Sequence, residues 1–278
     1  TGLASCSVMT IEARGRRAEK LFQRTLIGMV HLLPLPGVPG ARGIEAILER
    51  ALADGEALLE GGVDALLIEN MHDFPCLPES EMGPEVAASM TRAATELRRM
   101  AGEDVPMGVQ VLFAGNRTAV AVAQAAELDF IRAEAWTYGH LSDKGWAEAS
   151  AGRVVRYRKQ IDAEGIKVFT DIKKKHASHS VTADLDIADI ASNMALQKSD
   201  ALIVTGTTTG DAPRLSDLRA VRAASTLPVI IGSGLSVANI APFDGLWDAA
   251  IVGSSLKKDG MWDQPVDIER VRALRRAV

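Results

Sequence analysis

PVIIGSG, at Pro228–Gly234, and AAIVGSS, at Ala249–Ser255, are short apolar runs that each end in a glycine turn. Runs of this length, bounded by turn residues, are typical of the buried strands of a parallel sheet. Six similar runs precede them in the chain, at Leu26–Leu32, Ala65–Asn70, Met107–Phe113, Phe130–Trp136, Lys167–Lys173 and Ala201–Gly206. Amphipathic segments with helical spacing lie between the runs, including Ile44–Glu60, Glu85–Met100 and Ala147–Glu164.

Eight strand-and-helix units in one chain predict a parallel sheet that closes into a single (β/α)8, or TIM, barrel. An open, doubly wound sheet is the alternative, because it is built from the same units. That fold carries a glycine-rich signal after its first strand, whereas the first run here leads into Pro34–Gly37, which has no GxGxxG. We therefore expect one α/β barrel at residues 24–278, preceded by an N-terminal extension or arm at residues 1–23.

The composition argues against several classes of protein. A formal net charge of −5 in 278 residues disfavours general nucleic-acid binding, which requires clustered basic charge. No segment approaches the roughly 20 apolar residues of a membrane span, and no signal peptide is recognisable, so we expect a cytoplasmic protein. The two cysteines, Cys6 and Cys76, match no zinc spacing. We expect free thiols, with one disulfide as the alternative.

Polar residues near the ends of the predicted strands form the most informative pattern in the sequence. Side chains alternate between the two faces of a strand, and the outward face of a barrel strand packs under helices and must be apolar. The alternation therefore predicts that these side chains point into the barrel: Glu69, Gln110, Arg132, Glu134, Trp136, Asp171, Lys173 and Thr205, with His31 closing the first strand. The polar ones lie near the carboxyl ends of the strands, where barrel active sites lie. A structural polar network is the alternative.

The glycine turns after the seventh and eighth runs predict a phosphate site. Glycine lets backbone N–H groups turn toward an anion, and the loops after the last two strands are the usual phosphate site of this fold. The predicted phosphate-binding residues are Gly232, Ser233, Gly234, Gly253, Ser254 and Ser255. We expect a helix to begin after Ser236 and Lys257 or Lys258 to add charge. The alternative is that the glycines only permit tight turns.

Acid–base and nucleophilic candidates follow several of the runs. Lys173 has three possible roles: a Schiff-base nucleophile, a phosphate or carboxylate clamp, or an ion-pair partner for Asp171 or Glu134. His31 and His176 are candidates for general acids, general bases or metal ligands, with solvent-exposed loop histidines as the alternative. The candidate catalytic residues are His31, Glu69, Glu134, Asp171, Lys173 and His176.

Metal and substrate ligands are less clearly indicated. Glu69, Glu134 and Asp171 would hold a divalent ion if they converge, and no other cofactor is predicted. The candidate substrate-binding residues are Asn70, Asp73, Gln110, Asn116, Arg132 and Thr205. Asn and Asp also begin turns and cap helices, which is the alternative for three of them. The loop Thr205–Gly210 is either a lid or a solvated loop.

Several of these segments together resemble one family. GMVHLLPLPG at Gly28–Gly37, DIKKKH at Asp171–His176 and VGSSLKKDG at Val252–Gly260, with Ile68–Asn70 and Ile231–Gly234, resemble the BtpA/SgcQ family from about residue 24 to the end. In its expected pattern Asp-Val-Lys-x-Lys-His, Asp171, Lys173, Lys175 and His176 fit. The resemblance implies a barrel like those that bind ribulose phosphate, but no particular activity. Members are described as predicted barrel enzymes, and the cyanobacterial namesake is linked to photosystem I accumulation.

Three functions are consistent with these features. The first is an enzyme that acts on a small phosphorylated metabolite by lyase, aldolase or isomerase chemistry, with a phosphorylated small molecule as its partner. The second is an assembly factor that binds a protein, and the third is a metal-dependent hydrolase. We expect a homo-oligomer and no nucleic-acid partner.

Overall fold

The computed structural model describes residues 14–15, 17–18, 20–206 and 210–278 of the chain. In chain order, the strands are β1 (Thr25–His31), β2 (Ala65–Glu69), β3 (Met107–Gln110), β4 (Phe130–Ala133), β5 (His140–Ser142), β6 (Gly145–Ala147), β7 (Lys167–Ile172), β8 (Ala177–Ser178), β9 (Ala201–Val204), β10 (Val229–Ile231) and β11 (Ala249–Val252). The helices are α1 (Ile44–Gly61), α2 (Pro84–Ala101), α3 (Asn116–Ala125), α4 (Ala151–Gln160), α5 (Ile187–Leu196), α6 (Leu215–Ala224) and α7 (Ile268–Ala277).

Eight of the strands close into a barrel in the order β1-β11-β10-β9-β7-β4-β3-β2. All neighbouring pairs are parallel, as in the pairing of Met29 with Leu67. The prediction of a single α/β TIM barrel is therefore confirmed. Among the described residues, none of the helices combines the length and the apolar character that a membrane span requires.

The lower part of the barrel is filled by large apolar side chains. Phe130 of β4 stacks on Phe169 of β7 with ring centroids 4.6 Å apart, and Phe22 meets Phe169 edge-on at 5.5 Å. Phe22 and the fully buried Leu21 belong to a 3-10 turn, Lys20–Phe22, that packs against this interior cluster. The lower part of the barrel is thus a packed core among the described residues.

Arginine side chains of the predicted N-terminal arm also contact the barrel. Arg17 donates from Nε to Asp129 Oδ1 at 2.8 Å. Asp129 also accepts from Arg98 Nη2 at 3.1 Å and from the backbone N–H of Met107 at 2.8 Å. Arg14 donates to Gln124. Cys6 lies outside the described residues, and Cys76 is a buried free cysteine.

Three predictions about the outer elements are wrong. The helix predicted over Ala147–Glu164 spans only Ala151–Gln160, and Ala147 belongs instead to β6, a strand of an accessory sheet with the order β6-β5-β8. The segment after β10 contains a 3-10 turn at Ala241–Phe243 instead of a regular helix. Trp136 packs outside the barrel, where its Nε1 donates to the carbonyl of Gln197 at 3.0 Å.

Candidate functional site

A cavity of about 570 Å³ opens at the carboxyl ends of the barrel strands. Its lining draws on strand ends and on the loops above them. Its lining includes His31, Glu69, Gln110, Arg132, Lys174, Lys175, His176, Gly232, Ser233, Gly234, Gly253, Ser254, Ser255, Trp262 and Arg270. Several of the polar side chains predicted at the rim of the barrel therefore line this cavity.

One wall of the cavity, which we term the glycine side, consists of Gly232–Gly234 after β10 and Gly253–Ser255 after β11. Gly234 has a φ of +75°, and a Cβ there would lie 2.1 Å from the carbonyl carbon of Asp211. A Cβ on Gly253 would lie 3.3 Å from His31 Cε1. Gly234 therefore needs glycine both for space and for backbone conformation, whereas a side chain at position 253 would crowd His31.

Backbone donors on the glycine side are held in place and available. Ser255 Oγ donates to the carbonyl of Leu235 at 2.7 Å, and Asn239 Nδ2 donates to the carbonyl of Gly234 at 2.7 Å. Among the described residues, the backbone N–H groups of Ser233, Ser254 and Ser255 donate no hydrogen bond. Fixed N–H groups without acceptors can bind an anion without a helix terminus.

His31 and Glu69 face each other at the ends of β1 and β2. His31 Nδ1 lies 3.0 Å from the carbonyl oxygen of Trp262. A carbonyl only accepts hydrogen bonds, so Nδ1 carries the proton and Nε2 has a free lone pair. Nε2 lies 3.7 Å from Glu69 Oε2.

Burial moves the pKa values of this pair in opposite directions. Burial, reinforced by Lys257, lowers the pKa of His31 well below its ordinary value. Burial raises the pKa of Glu69, although Arg132 and Lys175 oppose it. A carboxyl group with a raised pKa beside a neutral imidazole is an arrangement suited to proton transfer.

Opposite the glycine side lies the ionic side, which we define as Arg132, Glu134, Asp171 and Lys174. Arg132 donates to Asp171 from Nη2 at 2.8 Å and from Nε at 3.1 Å. Its Nη1 also lies 3.4 Å from the carbonyl oxygen of Gly232, which joins the two sides. Glu134 accepts from Lys174 and from Gln110 Nε2, the latter at 2.6 Å.

These pairings change the roles expected for two carboxylates. Glu134 and Asp171 point inward as predicted, but they lie behind the cavity lining and are held by cations. Burial alone would raise the pKa of Glu134, but the ammonium group of Lys174 holds this pKa below its ordinary value. Both groups therefore position the cations that line the cavity.

The lysine run after β7 differs from the sequence prediction. Lys173 has a φ of +45°, which ends the alternation of the strand. Its Nζ donates to the carbonyl of Leu185 at 3.1 Å, and Lys173 does not line the 570 Å³ cavity. The prediction that Lys173 enters the barrel is therefore wrong. Lys174, Lys175 and His176 line the cavity instead. Burial, with Arg132 nearby, lowers the pKa of Lys175 to about 8.

Three predicted substrate ligands have structural roles. Asn70 donates to Asp73 Oδ2 at 2.8 Å and accepts from the backbone N–H of Leu112 at 2.7 Å. Asp73 Oδ1 accepts from the backbone N–H of Leu35 at 2.9 Å. Asn116 Nδ2 donates to the carbonyl of Glu134 at 2.6 Å. These buried side chains satisfy loop backbone groups and do not line the cavity, and their substrate contacts stay a prediction.

The other substrate-ligand predictions have mixed outcomes. Gln110 and Arg132 line the cavity, and Gln110 Oε1 is buried without a hydrogen-bond partner among the described residues. Thr205 lines a neighbouring cavity instead, beside Lys173 and Arg214. Residues 207–209 of the loop Thr205–Gly210, which was predicted to be either a lid or a solvated loop, lie outside the described residues.

The expected metal ligands do not assemble. Among the described residues, no group of three His, Cys, Asp or Glu side chains could hold a metal ion. Lys257 does not serve the phosphate turns either, because it is fully buried and its Nζ donates to Asp54 Oδ2 at 3.2 Å.

Sequence reasoning missed several lining residues. Trp262 and Arg270 come from the segment beyond β11, where strand alternation gives no information. Phe74 lies 5.8 Å from Trp262 between ring centroids, and His72 lies 4.9 Å from it. The lysine run was the signal for Lys174 and Lys175, but strand alternation does not extend past Lys173, where φ is +45°.

Comparison with known proteins places the chain in a family. A family model described as the BtpA family matches residues 22–278. The chain belongs to the BtpA family. It is 39% identical over 250 residues to an uncharacterised mitochondrial protein of Caenorhabditis elegans, covering 88% of this chain and 90% of that one. It is 34% identical to the photosystem I biogenesis protein BtpA of a Synechocystis strain, covering 89% and 85%.

Solved structures agree on the fold. The orotidine 5′-monophosphate decarboxylase of Methanocaldococcus jannaschii, complexed with the inhibitor BMP, aligns with a TM-score of 0.57 at 15% identity. The alignment covers 92% of this chain and 98% of that one. At this identity the likeness shows a shared barrel fold and carries no assignment of activity.

Proposed function

We propose that the protein is an enzyme that acts on a small phosphorylated metabolite by lyase, aldolase or isomerase chemistry. The substrate is a sugar phosphate or a nucleoside-derived phosphate. One observation supports this most strongly: unpaired backbone N–H groups on the glycine side and the His31–Glu69 pair face the same cavity of about 570 Å³. A cavity of this volume suits a small ligand.

The glycine side would hold the phosphate. Ser233, Ser254 and Ser255 supply N–H donors, and the guanidinium of Arg132 lies beside Gly232. The loops after the last two strands are the usual phosphate site in barrels. The name of the Methanocaldococcus neighbour states a monophosphate substrate on the same fold.

The His31–Glu69 pair would move protons at the other end of the substrate. Glu69, with its raised pKa, donates a proton, and His31 Nε2 accepts one. Gln110 Oε1, which lacks a donor among the described residues, would accept a hydrogen bond from a substrate hydroxyl. The proposed enzyme is a cytoplasmic homo-oligomer.

Thermal unfolding with ligands tests the phosphate site. Inorganic phosphate, ribose 5-phosphate and nucleoside monophosphates should raise Tm, whereas ribose should not. A ligand at about 100 times its Kd stabilises the native state by roughly 2.7 kcal/mol. Ser254→Asp, which places a carboxylate among the donors, should abolish the shift. Ser254→Asn, which is similar in size and neutral, should retain it.

Two outcomes would contradict the proposal: equal stabilisation by ribose, and an unchanged phosphate shift in the Ser254→Asp variant. The first would show that the phosphate makes no contribution. The second would place the anion away from the glycine side.

A protein-binding role is the second candidate. The Synechocystis relative is named as a biogenesis protein, and Leu141 and Trp146 of the accessory sheet are 54% and 53% exposed. Exposed apolar side chains of this size occur at protein-binding surfaces. Failure of every ligand in the thermal panel would favour this role over the enzyme.

A further inference from the structure

Lys175 differs from the other lysine and arginine side chains that line the cavity. Arg132, Lys144, Lys174 and Arg270 each have a carboxylate oxygen at 3.7 Å or less. Lys175 lines the same cavity, and its Nζ makes no hydrogen bond or ion pair to another described residue. A cation held in place without a carboxylate partner is poorly explained as a structural charge.

The amine of Lys175 is also the group best able to act as a nucleophile. A lysine attacks a carbonyl only in its neutral form, and burial together with Arg132 lowers its pKa to about 8. Roughly a tenth of such an amine is neutral at pH 7, which is far more than for a lysine of ordinary pKa. Lys174 cannot compete, because it is held by Glu134.

We propose that Lys175 Nζ forms a Schiff base with the aldehyde or ketone of a phosphorylated substrate whose phosphate lies on the glycine side. This rests on the proposed function and narrows its substrate class to phosphorylated carbonyl compounds. Glu69 and His31 donate and accept the protons. Both interact electrostatically with Lys175 across the cavity.

The steps balance with the groups present. The neutral amine attacks the carbonyl carbon, forming the C–N bond, while the carbonyl π electrons move to oxygen, which takes the proton of Glu69. His31 Nε2 removes a proton from the new ammonium, which gives a neutral carbinolamine. The imidazolium then protonates the hydroxyl, the C–O bond breaks, and water leaves as the nitrogen lone pair forms the iminium. The product is an iminium, one water and the Glu69 carboxylate.

The iminium explains the chemistry proposed for the site. Its positive charge accepts the electron pair of a neighbouring C–C or C–H bond, which permits cleavage or isomerisation. Hydrolysis of the iminium by water reverses the first steps and releases the amine. No redox partner is needed.

Reductive trapping tests this role directly. The protein is incubated with dihydroxyacetone phosphate or glyceraldehyde 3-phosphate and sodium borohydride, and the modified peptide is located by mass spectrometry. We expect one adduct, on Lys175, which inorganic phosphate suppresses by competition. Lys175→Arg keeps the positive charge but cannot form the imine, so its labelling should fall to background. The matched control Lys173→Arg should label like the unmodified sequence.

Labelling that survives in Lys175→Arg, that resides on another lysine, or that is absent with both probes would overturn the proposal. The rise in Tm with phosphate distinguishes failure of the Schiff-base proposal from failure of the proposed function. If phosphate raises Tm but no adduct forms, the phosphate site stands and the Schiff base is wrong. If phosphate has no effect and no adduct forms, both are wrong.

Discussion

The glycine side and the ionic side face the same cavity but are built in different ways. The glycine side relies on local backbone conformation, with small residues and a φ of +75° at Gly234. The ionic side relies on pairs between strands that are distant in sequence, such as Arg132 with Asp171 and Lys174 with Glu134. One side therefore offers neutral N–H donors, and the other offers charges that are already partly compensated.

Under the proposed function, this difference would let the cavity accept an anion without holding a large unbalanced charge. Buried cations are costly unless they are paired. The carboxylates of Glu134 and Asp171 offset Lys174 and Arg132 from behind, which leaves the N–H groups of the glycine side to contact the ligand. Substitutions on the two sides should consequently fail in different ways.

Breaking the ionic side should give the largest effect. Asp171→Ala removes the carboxylate that accepts two hydrogen bonds from Arg132, and both side chains are almost fully buried. Leaving a buried charge unpaired typically costs about 3–5 kcal/mol. We expect a loss of this size in the free energy of unfolding measured with urea.

An exposed ion pair provides the control. Glu96→Ala removes the partner of Arg99, whose side chain is 69% exposed, and should cost less than about 1 kcal/mol. A second variant, Arg132→Met with Asp171→Leu, removes both charges and should recover much of the stability. A cost for Asp171→Ala no larger than for Glu96→Ala would show that the ionic side does not stabilise the rim.

Breaking the glycine side should have a smaller and more local effect. Gly234→Ala adds a Cβ that would lie 2.1 Å from a backbone carbon of Asp211, at a left-handed φ. Gly245→Ala is the matched control, because Gly245 has a φ of +73° and nothing within 4 Å of its added Cβ. Both variants place alanine at a strained left-handed φ, but only in Gly234→Ala does the added Cβ collide with neighbouring atoms.

Crowding typically adds about 1–3 kcal/mol. We expect Gly234→Ala to be less stable than Gly245→Ala by this amount and to lose the phosphate-induced rise in Tm, which Gly245→Ala should keep. Equal stability and equal phosphate response in the two variants would contradict the role given to the glycine side.

The same contrast shows which features could be predicted from sequence. The barrel and the glycine side were predictable because strand length, helical spacing and glycine turns are local properties. The inward direction of Arg132 and Asp171 was also predictable, because both lie within regular strands. Alternation then failed beyond the strand ends, where Ala135 and Lys173 have φ values of +44° and +45°.

The remaining differences between sequence prediction and structure have the same origin. The accessory sheet is built from strands of two or three residues, which are too short to leave a periodic signal. Asn70 and Asn116 resemble substrate ligands in sequence, but their partners are loop backbone groups that only the folded chain brings together. Which inward charges are neutralised, and which remain available to a ligand, is likewise a tertiary property.

The smallest expected effect distinguishes Lys175 from its neighbour on the ionic side. The folded protein disfavours the charged form of Lys175, since its pKa falls from 10.5 to about 8. That penalty is fully present below pH 8 and disappears as pH rises to 10.5. The whole shift would correspond to about 3 kcal/mol, but solvent screening of a partly exposed side chain reduces it to the order of 1 kcal/mol.

Lys175→Met should therefore stabilise the protein at pH 7 and lose that advantage near pH 10, as measured by urea unfolding. Lys174→Met should instead destabilise it at pH 7, because Glu134 is left buried without its cation. Destabilisation by Lys175→Met at pH 7 would mean that its charge is a structural one, like that of Lys174.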